Sequence, residues 1–261
     1  MAERKSSVDG LRIVIAGGAT GVGAAVAKRL ARHGARIVIG DINIQQAAET
    51  AASITSSGGM AIAVAFDLSQ EDTIRNLIES GAKAFDGIDG LINMGADYRL
   101  EILGNDGNVL DMDAAVWRRT LDVNLVGYAL TTKYVLPYLF KQGGGSIVNI
   151  SSVIAWMCEP SYPAYAAAKA GVHVLTRHTA SSAGHKNVRA NCVSIGIVET
   201  ERVKEALNYP VYQKKFIDPC PLKRAGELEE AASLIEYLIS REATFITGQV
   251  WGVNGGVMMR E

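Results

Sequence analysis

Cysteine, metal-ligand clusters and long apolar runs are all scarce in this chain of 261 residues. The cysteines, Cys158, Cys192 and Cys220, are odd in number and form no Cys-x-x-Cys pair, so neither a disulfide framework nor a zinc site is indicated. No stretch approaches the roughly 20 apolar residues that a membrane helix needs, and no signal-type apolar run follows the charged N-terminal residues. We therefore expect an uncleaved cytoplasmic protein with no membrane partner.

An excess of either charge is also missing, since 26 basic residues face 27 acidic ones along the sequence. This balance argues against a nucleic-acid surface or a polybasic membrane patch. The four histidines form no His-x-x-x-His or His-Glu-x-x-His set, so we expect no metal site and read them as core or helix-surface residues. The expected partner is a small molecule, which has to be inferred from local chemistry.

Short apolar runs alternate with amphipathic segments along nearly the whole chain. The runs typical of strands are Leu11–Ala16, Ala35–Gly40, Met60–Phe66, Gly90–Met94, Ser146–Ile150, Val188–Ser194 and Gln249–Val253. The segments typical of helices are Val22–His33, Asn43–Ser57, Glu71–Phe85, Asp113–Gln142, Ser161–His185 and Glu227–Ser240. This alternation predicts an α/β fold with a doubly wound, mainly parallel, seven-stranded sheet and helices on both faces. No repeat or linker interrupts it, so residues 1–261 are expected to form a single domain.

Two segments, residues 96–112 and 197–226, fall outside the alternation and directly follow strands. Ligands in such folds bind at the carboxyl ends of the strands, so both segments are candidate substrate loops.

A glycine-rich stretch, Gly17-Gly18-Ala19-Thr20-Gly21-Val22-Gly23, follows the first strand and opens the first helix. Small residues let the backbone approach a pyrophosphate, and a helix N-terminus supplies free N–H groups and partial positive charge. The spacing differs from the best-known Gly-x-Gly-x-x-Gly fingerprint, and a tight turn would use similar residues. The candidate pyrophosphate contacts are Gly17, Thr20, Gly21, Val22 and Gly23.

An acid, Asp41, ends the second strand 18 residues beyond Gly23. Its carboxylate can accept hydrogen bonds from an adenosine ribose and would repel a 2′-phosphate. Because Ile42 and Asn43 follow it, with no arginine or lysine, we expect NAD to be favoured over NADP. The alternative is that Asp41 caps the next helix.

A tyrosine and a lysine stand four residues apart in the segment Tyr165-Ala166-Ala167-Ala168-Lys169. This spacing places both on one helix face, where the positive charge would lower the tyrosine pKa and make the phenol a usable general acid or base. An isolated pair of this kind could equally be solvated, so its surroundings decide.

With the glycine loop and Asp41, this pair resembles the short-chain dehydrogenase/reductase family over Leu11 to Met258, which implies a Rossmann-type fold. Motif by motif, the resemblance implies adenine contacts at Asp67 and Leu68, cofactor contacts at Asn93 and Gly95, nicotinamide contacts at Val198 and Thr200, and a catalytic set of Asn124, Ser152, Tyr165 and Lys169. Ser152, not Ser151, has the family spacing of 13 residues to Tyr165. The resemblance also implies a homotetramer. Departures at Ala16, Met94-Gly95-Ala96 and Ile195 affect local geometry and cofactor affinity.

In this family, tyrosine exchanges a proton with the substrate oxygen while hydride moves between carbon and the nicotinamide. Serine hydrogen-bonds the same oxygen, lysine lowers the tyrosine pKa and binds the ribose, and asparagine holds a relay water. We therefore expect an NAD-dependent oxidoreductase acting on CH-OH groups. The alternatives are an NADPH-dependent reductase of carrier-bound 3-oxoacyl or other carbonyl groups, and a non-catalytic dinucleotide-binding protein.

Apolar and aromatic residues near the predicted site suggest a hydrophobic, including cyclic, secondary alcohol or ketone as the substrate. The candidate lining residues are Trp156, Met157, Cys158, Tyr209, Tyr212 and Phe216, with Tyr98. These side chains could instead pack the loop against the body of the protein. Asp97, Arg99 and Glu101 could instead face a polar substrate.

Overall fold

Seven parallel strands form one sheet in the computed structural model, which describes residues 6–157 and 159–259. The strands are β1 Arg12–Ala16, β2 Arg36–Asp41, β3 Met60–Ala65, β4 Gly90–Asn93, β5 Gly145–Ser152, β6 Val188–Ile195 and β7 Val250–Val253. Their order is β3-β2-β1-β4-β5-β6-β7, and every pair is parallel. The Rossmann-type, doubly wound fold is confirmed. Strand order reverses between β1 and β4, the point where such sheets bind ligands.

Helices cover both faces of this sheet. They are α1 Gly21–Arg32, α2 Ile44–Ser56, α3 Glu71–Phe85, α4 Leu100–Leu103, α5 Ala114–Leu121, α6 Gly127–Lys141, α7 Pro163–Ala183, α8 Glu201–Ala206, α9 Pro210–Phe216 and α10 Leu228–Ile239. The segments outside the predicted alternation, residues 96–112 and 197–226, contain the short helices α4, α8 and α9. None of the helices in residues 6–157 and 159–259 has the length and apolarity needed to cross a membrane.

The prediction of one continuous helix from Asp113 to Gln142 is wrong. A π-helical turn, Asp122–Val126, separates α5 from α6. Such a turn holds one more residue than an α-helical turn, so it changes the direction in which the following side chains point. Apolar periodicity alone does not detect it, because apolar residues continue on both sides.

The core lies on the two faces of the sheet, and alternation along β1 shows how it is divided. Ile13 and Ile15 pack in the cluster that includes α1 and α10, whereas Val14 packs in the cluster that includes α3, α6 and α7. All of these strand side chains are 0% exposed. Successive residues of a strand point to opposite faces, so a buried parallel strand must be apolar throughout. This requirement is why the strand runs are readable in the sequence.

Candidate active site

A cleft of about 1720 Å³ lies along the carboxyl edge of the sheet. The predicted cofactor residues that line it are Gly17, Thr20, Gly21, Val22, Gly23, Asp41, Ile42, Asp67, Leu68, Gly95, Tyr165, Val198 and Thr200. Ser152 also lines it. The cleft thus collects the ends of β1 to β6 in one space.

Close backbone packing explains the glycines of the loop after β1. Gly17 has a φ of +99°, and a Cβ atom there would lie 2.3 Å from the backbone nitrogen of Gly95. A Cβ atom at Gly23 would lie 2.3 Å from the Gly17 carbonyl oxygen. Only glycine fits either position without a backbone shift. The loop is therefore pressed against the first turn of α1, whose N–H groups have no intrahelical partner and can bind an anion.

Asp41 is held at the mouth of this loop. One carboxylate oxygen accepts from the Ala19 backbone N–H at 3.0 Å, and the other accepts from the Asn43 N–H at 3.0 Å. The cap of α2 is Asn43, whose side chain accepts from Gln46 N–H at 3.1 Å. The alternative that Asp41 caps this helix is therefore wrong, and its carboxylate is left beside the glycine loop.

The neighbouring adenine candidates, Asp67 and Leu68, line the cleft after β3. Asp67 accepts hydrogen bonds from the backbone N–H and the hydroxyl of Ser69, at 2.8 and 2.7 Å. Leu68 packs against Gly95, where an added Cβ atom would lie 2.7 Å from the leucine Cδ1. Both residues are thus fixed by local contacts.

The structure contradicts the expectation that the Asn93 side chain contacts the cofactor. Asn93 is 0% exposed and lies among the strands, donating to Asn149 at 2.9 Å and accepting from Thr131 at 2.7 Å. Asn149 in turn donates to Thr176 at 3.0 Å. This chain of polar groups holds β4, β5, α6 and α7 together, so Asn93 positions the site from behind.

Tyr165 and Lys169 lie on α7 as predicted, but the two side chains are not hydrogen-bonded to each other. The lysine Nζ is 5.6 Å from the Tyr165 ring centroid. It donates to the Ile150 carbonyl at 3.0 Å and to the Tyr128 hydroxyl at 3.3 Å. Tyr128, which the sequence did not single out, donates to the Gly95 carbonyl at 3.1 Å. The lysine is thereby anchored between β5 and α6.

The pKa values of this pair differ from the prediction. Burial lowers the pKa of Lys169 to about 8, because the ammonium group is 1% exposed and has no carboxylate partner among the described residues. Burial, and next the neighbouring Tyr98, raise the pKa of Tyr165 well above its usual value. The lysine has lost its proton before the phenol ionises, so the expected lowering of the Tyr165 pKa is not seen in this structure.

Tyr98, from the loop after β4, is the nearest hydroxyl partner of Tyr165. Their oxygens are 3.0 Å apart, and their ring centroids are 5.9 Å apart. The Tyr98 backbone carbonyl accepts from Arg202 Nη1 at 2.8 Å, which ties α8 to this loop. Sequence reasoning placed Tyr98 only among the possible lining residues, because nothing in the sequence pairs it with a helix 67 residues away.

The two serines at the end of β5 have different surroundings. Ser151 is buried, donates to the Lys169 carbonyl at 3.0 Å and lies 2.8 Å from His173 Nε2. Ser152 lines the cleft, and its hydroxyl accepts from the Ile154 N–H at 3.3 Å. The exposed position of Ser152 agrees with its choice over Ser151 as the residue facing a substrate.

Asn124 lies in the π-helical turn behind the cleft. Its Nδ2 donates to the Thr120 carbonyl at 2.9 Å, and its buried Oδ1 has no hydrogen-bond partner among the described residues. The turn packs on α7, where a Cβ atom at Gly171 would lie 2.7 Å from Leu125 Cδ2. A buried acceptor without a partner is costly unless something binds it. Its chemistry fits a relay water near the lysine.

The N-terminus of α7 is capped from a distant loop by Asp106, which sequence reasoning missed. The carboxylate accepts from the Ala164 N–H at 3.1 Å and from the Tyr165 N–H at 2.9 Å. The Asp106 carbonyl accepts from Tyr162 N–H at 2.9 Å. Tyr162 has a φ of +66°, a strained value for a residue other than glycine. The loop at residues 104–107 therefore positions the backbone of Tyr165.

The predicted substrate residues divide into two groups. Met157, Tyr212 and Phe216 line the cleft, and the rings of Tyr212 and Phe216 are 4.6 Å apart. Trp156 does not line it, because its ring packs 4.8 Å from that of His173. Tyr209 is 60% exposed and lines a neighbouring groove instead. Cys158 lies outside the described residues.

Asp97, offered as a group facing a polar substrate, is neutralised within the protein. It accepts from Arg99 at 2.6 Å and from Arg119 at 3.0 Å. The Arg99 hydrogen bond contributes most to lowering the pKa of Asp97 to about 2. Arg119 also donates to Ser69 at 2.6 Å, so this network joins the loop after β4 to the adenine end of the cleft. Within residues 6–157 and 159–259, no group of three or more His, Cys, Asp or Glu side chains could hold a metal ion.

Comparison with known proteins places this geometry in a family. Residues 17–258 match the family model described as enoyl-(acyl carrier protein) reductase. The chain is 34% identical, over 93% of its length and 94% of the relative, to cis-4-hydroxycyclohexanecarboxylate dehydrogenase of Sinomonas cyclohexanicum. It is 31% identical, over 97% of its length and 99% of the relative, to 3-oxoacyl-[acyl-carrier-protein] reductase of Thermotoga maritima.

A solved structure of 7α-hydroxysteroid dehydrogenase in complex with NADH and 7-oxo glycochenodeoxycholic acid superimposes with a TM-score of 0.90. It is 28% identical, and the match covers 98% of both chains. The glycine loop and the cleft at the strand ends fit the nicotinamide dinucleotide that this family binds. The chain belongs to the short-chain dehydrogenase/reductase family of oxidoreductases.

Proposed function

We propose that this protein transfers a hydride between NAD(H) and a hydrophobic, including cyclic, secondary alcohol or ketone. The observation that carries the proposal is the position of the Tyr165 phenol. It faces the same cleft as the glycine loop, with the buried Lys169 one helical turn along α7. A buried phenol beside a dinucleotide loop is what proton transfer coupled to hydride transfer requires.

The residues of this chain fit a bound dinucleotide. Its pyrophosphate would lie on the glycine loop and the N-terminus of α1, and its adenine near Asp67 and Leu68. Val198 and Thr200 would lie near the nicotinamide, which supplies the hydride chemistry when bound. Asp41, held by two backbone N–H groups, would accept from the adenosine ribose and repel a 2′-phosphate. This supports NAD over NADP.

The protein's part of the reaction is the handling of one proton. Because burial raises its pKa, Tyr165 is protonated at neutral pH and can donate to a carbonyl oxygen in the direction of reduction. In the direction of oxidation it must accept a proton, and the Lys169 ammonium is the group placed to stabilise the phenolate. Ser152 would hold the same substrate oxygen, and Asn124 Oδ1 would bind a relay water behind the lysine.

Replacing the phenol tests this proposal directly. We expect Tyr165→Phe to abolish turnover of secondary alcohols while NAD affinity, measured by calorimetry, stays nearly unchanged, because only the hydroxyl is lost. Tyr237→Phe, a surface tyrosine on α10, is the matched control and should keep full activity. Turnover retained in Tyr165→Phe would sink the assignment.

The second candidate is a reductase of carrier-bound 3-oxoacyl groups that uses NADPH. The likeness to the Thermotoga maritima reductase favours it. Titration of NAD and NADP against the purified protein separates the two, since tighter NADP binding would overturn the role given to Asp41. Asp41→Ala should narrow the gap between the two cofactors, because the repelling carboxylate is gone.

Cyclic substrates are supported by the lining and by the relatives. Met157, Tyr212 and Phe216 give the substrate end apolar walls. The printed substrates of two similar proteins are a hydroxycyclohexane acid and a steroid. A panel of cyclic and acyclic secondary alcohols with NAD, followed at the absorbance of reduced nicotinamide, tests this part of the proposal.

The proposal extends to the organisation of the protein. Residues 96–112 and 197–226 act as substrate loops, and the protein works as a cytoplasmic homotetramer. Light scattering at working concentration tests the tetramer, and a dimer or monomer that retains full activity would contradict it.

A further inference from the structure

One basic side chain at the substrate end of the cleft, Arg202 on α8, has no carboxylate within 4.0 Å among the described residues. The other cations at this end are paired. Arg99 and Arg119 both contact Asp97, and Lys215 contacts Glu159 at 3.1 Å. Arg202 also lines the cleft. It is therefore an uncompensated positive charge facing the space where a substrate would bind.

The position of Arg202 relative to the chemistry is fixed by a single residue. Arg202 Nη1 donates to the Tyr98 carbonyl at 2.8 Å, and the Tyr98 hydroxyl lies 3.0 Å from the Tyr165 hydroxyl. The guanidinium and the proton-transfer group are thus separated by about the length of one tyrosine. Tyr212 and Phe216 also line this part of the cleft. A ligand that reaches both groups needs an apolar body of about that length.

The chemistry of guanidinium selects the kind of ligand. One of its five N–H groups is used by the Tyr98 carbonyl, so the others can form the paired hydrogen bonds that a carboxylate accepts. A phosphate dianion would favour further cations, yet Lys215, Arg99 and Arg119 are already occupied by carboxylates. We propose that the substrate carries a carboxylate, which binds Arg202 while the alcohol or ketone oxygen meets Tyr165. This inference rests on the proposed function and names its substrate class.

A competing partner for Arg202 would weaken this inference. The nearest acid at helical spacing is Glu205, three residues further along α8. It forms no ion pair with Arg202 within 4.0 Å and does not line the cleft, but lies in the neighbouring groove. Glu201 is engaged by Lys204 at 3.1 Å. Arg202 is therefore open to a ligand.

The test measures binding, so it does not depend on turnover. Cyclic carboxylates of differing ring size, beginning with cyclohexanecarboxylate, are titrated into the NADH-loaded protein by calorimetry, each beside its own methyl ester. We expect at least one acid to bind about ten- to hundredfold more tightly than its ester, the range of a charge-assisted hydrogen-bonded pair. Arg202→Gln should remove that preference and leave ester binding unchanged.

Lys204→Gln is the matched control, since it removes the same charge two residues along the same helix. The inference is overturned if no acid binds more tightly than its ester, if Arg202→Gln keeps the preference, or if Lys204→Gln loses it equally. These outcomes leave the proposed hydride transfer untouched, because that function stands or falls on turnover by Tyr165→Phe. A kinetic arm with 4-hydroxycyclohexanecarboxylate and its ester should give the same discrimination in KM.

Discussion

Lys169 should make the folded protein less stable than an apolar residue would. The side chain is 1% exposed, and burial lowers its pKa from the usual 10.5 to about 8. We expect Lys169→Met, which keeps the length of the side chain and removes the charge, to raise the free energy of unfolding at pH 7 while abolishing turnover. The lysine is kept for function at a cost in stability.

The size of the effect follows from the pKa difference. Keeping the ammonium protonated in the folded state at pH 7 costs about 3 kcal/mol relative to the unfolded chain. The substitution also removes hydrogen bonds to the Ile150 carbonyl and the Tyr128 hydroxyl, each worth about 1 kcal/mol. Tyr128 keeps its bond to Gly95. The net gain expected at pH 7 is therefore about 1 kcal/mol.

The sign of the pH dependence provides the sharper test. Below about pH 8 both states hold the proton, and the folded wild type bears the full cost. Between about pH 8 and 10.5 only the unfolded chain keeps the proton, so rising pH stabilises the wild type. The advantage of Lys169→Met should therefore be largest near pH 7 and shrink, then reverse, toward pH 10.5.

Urea unfolding of both proteins at pH 7, 8.5 and 10, without cofactor, measures this difference. Lys141→Met, at an exposed lysine at the end of α6, is the control and should show no such pH-dependent difference from the wild type. A difference between Lys169→Met and wild type that does not change with pH would refute the reasoning, because a buried charge must appear in the proton balance.

Three further changes have expected outcomes of their own. Tyr98→Phe should move the limb of the pH–rate profile that reports Tyr165 to lower pH, since Tyr98 contributes to its raised pKa; an unmoved limb would contradict this. Asp106→Ala should cost about 1–2 kcal/mol in urea unfolding and lower kcat, because the first turn of α7 loses its cap; unchanged kcat would show that the cap does not position the tyrosine. Gly23→Ala should weaken NAD binding by calorimetry at least tenfold, since the added methyl meets a carbonyl oxygen at 2.3 Å, whereas Gly184→Ala, which meets nothing within 4 Å, should bind NAD normally.

The sheet was predictable from the sequence because a buried parallel strand must be apolar on both faces. All seven strands are found where runs such as Leu11–Ala16 predicted them. The break in the helix after Asp113 was not predictable, since the π-helical turn keeps the apolar pattern and differs only in hydrogen bonding. Helices α8 and α9 were also missed, because each is shorter than the two turns needed to show a periodic face.

The residues of the site were predictable where a local motif carries them. The glycine loop, Asp41 and the Tyr165–Lys169 pair combine a spacing with a place after a strand or along a helix. Residues brought in by tertiary packing carry no such signal. Tyr98 and Asp106 reach α7 from a loop that is remote in sequence, and no pattern links them to it.

The buried polar groups around α7 show how the fold separates structural from functional chemistry. Asn93 and Asn149 are fully buried, yet their side chains find partners in neighbouring elements, so they rigidify the sheet at little cost. Lys169 has neutral partners only, and Asn124 Oδ1 has none among the described residues. These incompletely satisfied groups meet behind one phenol. Because such groups destabilise a fold unless a ligand completes them, a bound cofactor and its water should stabilise this region more than any other part of the protein.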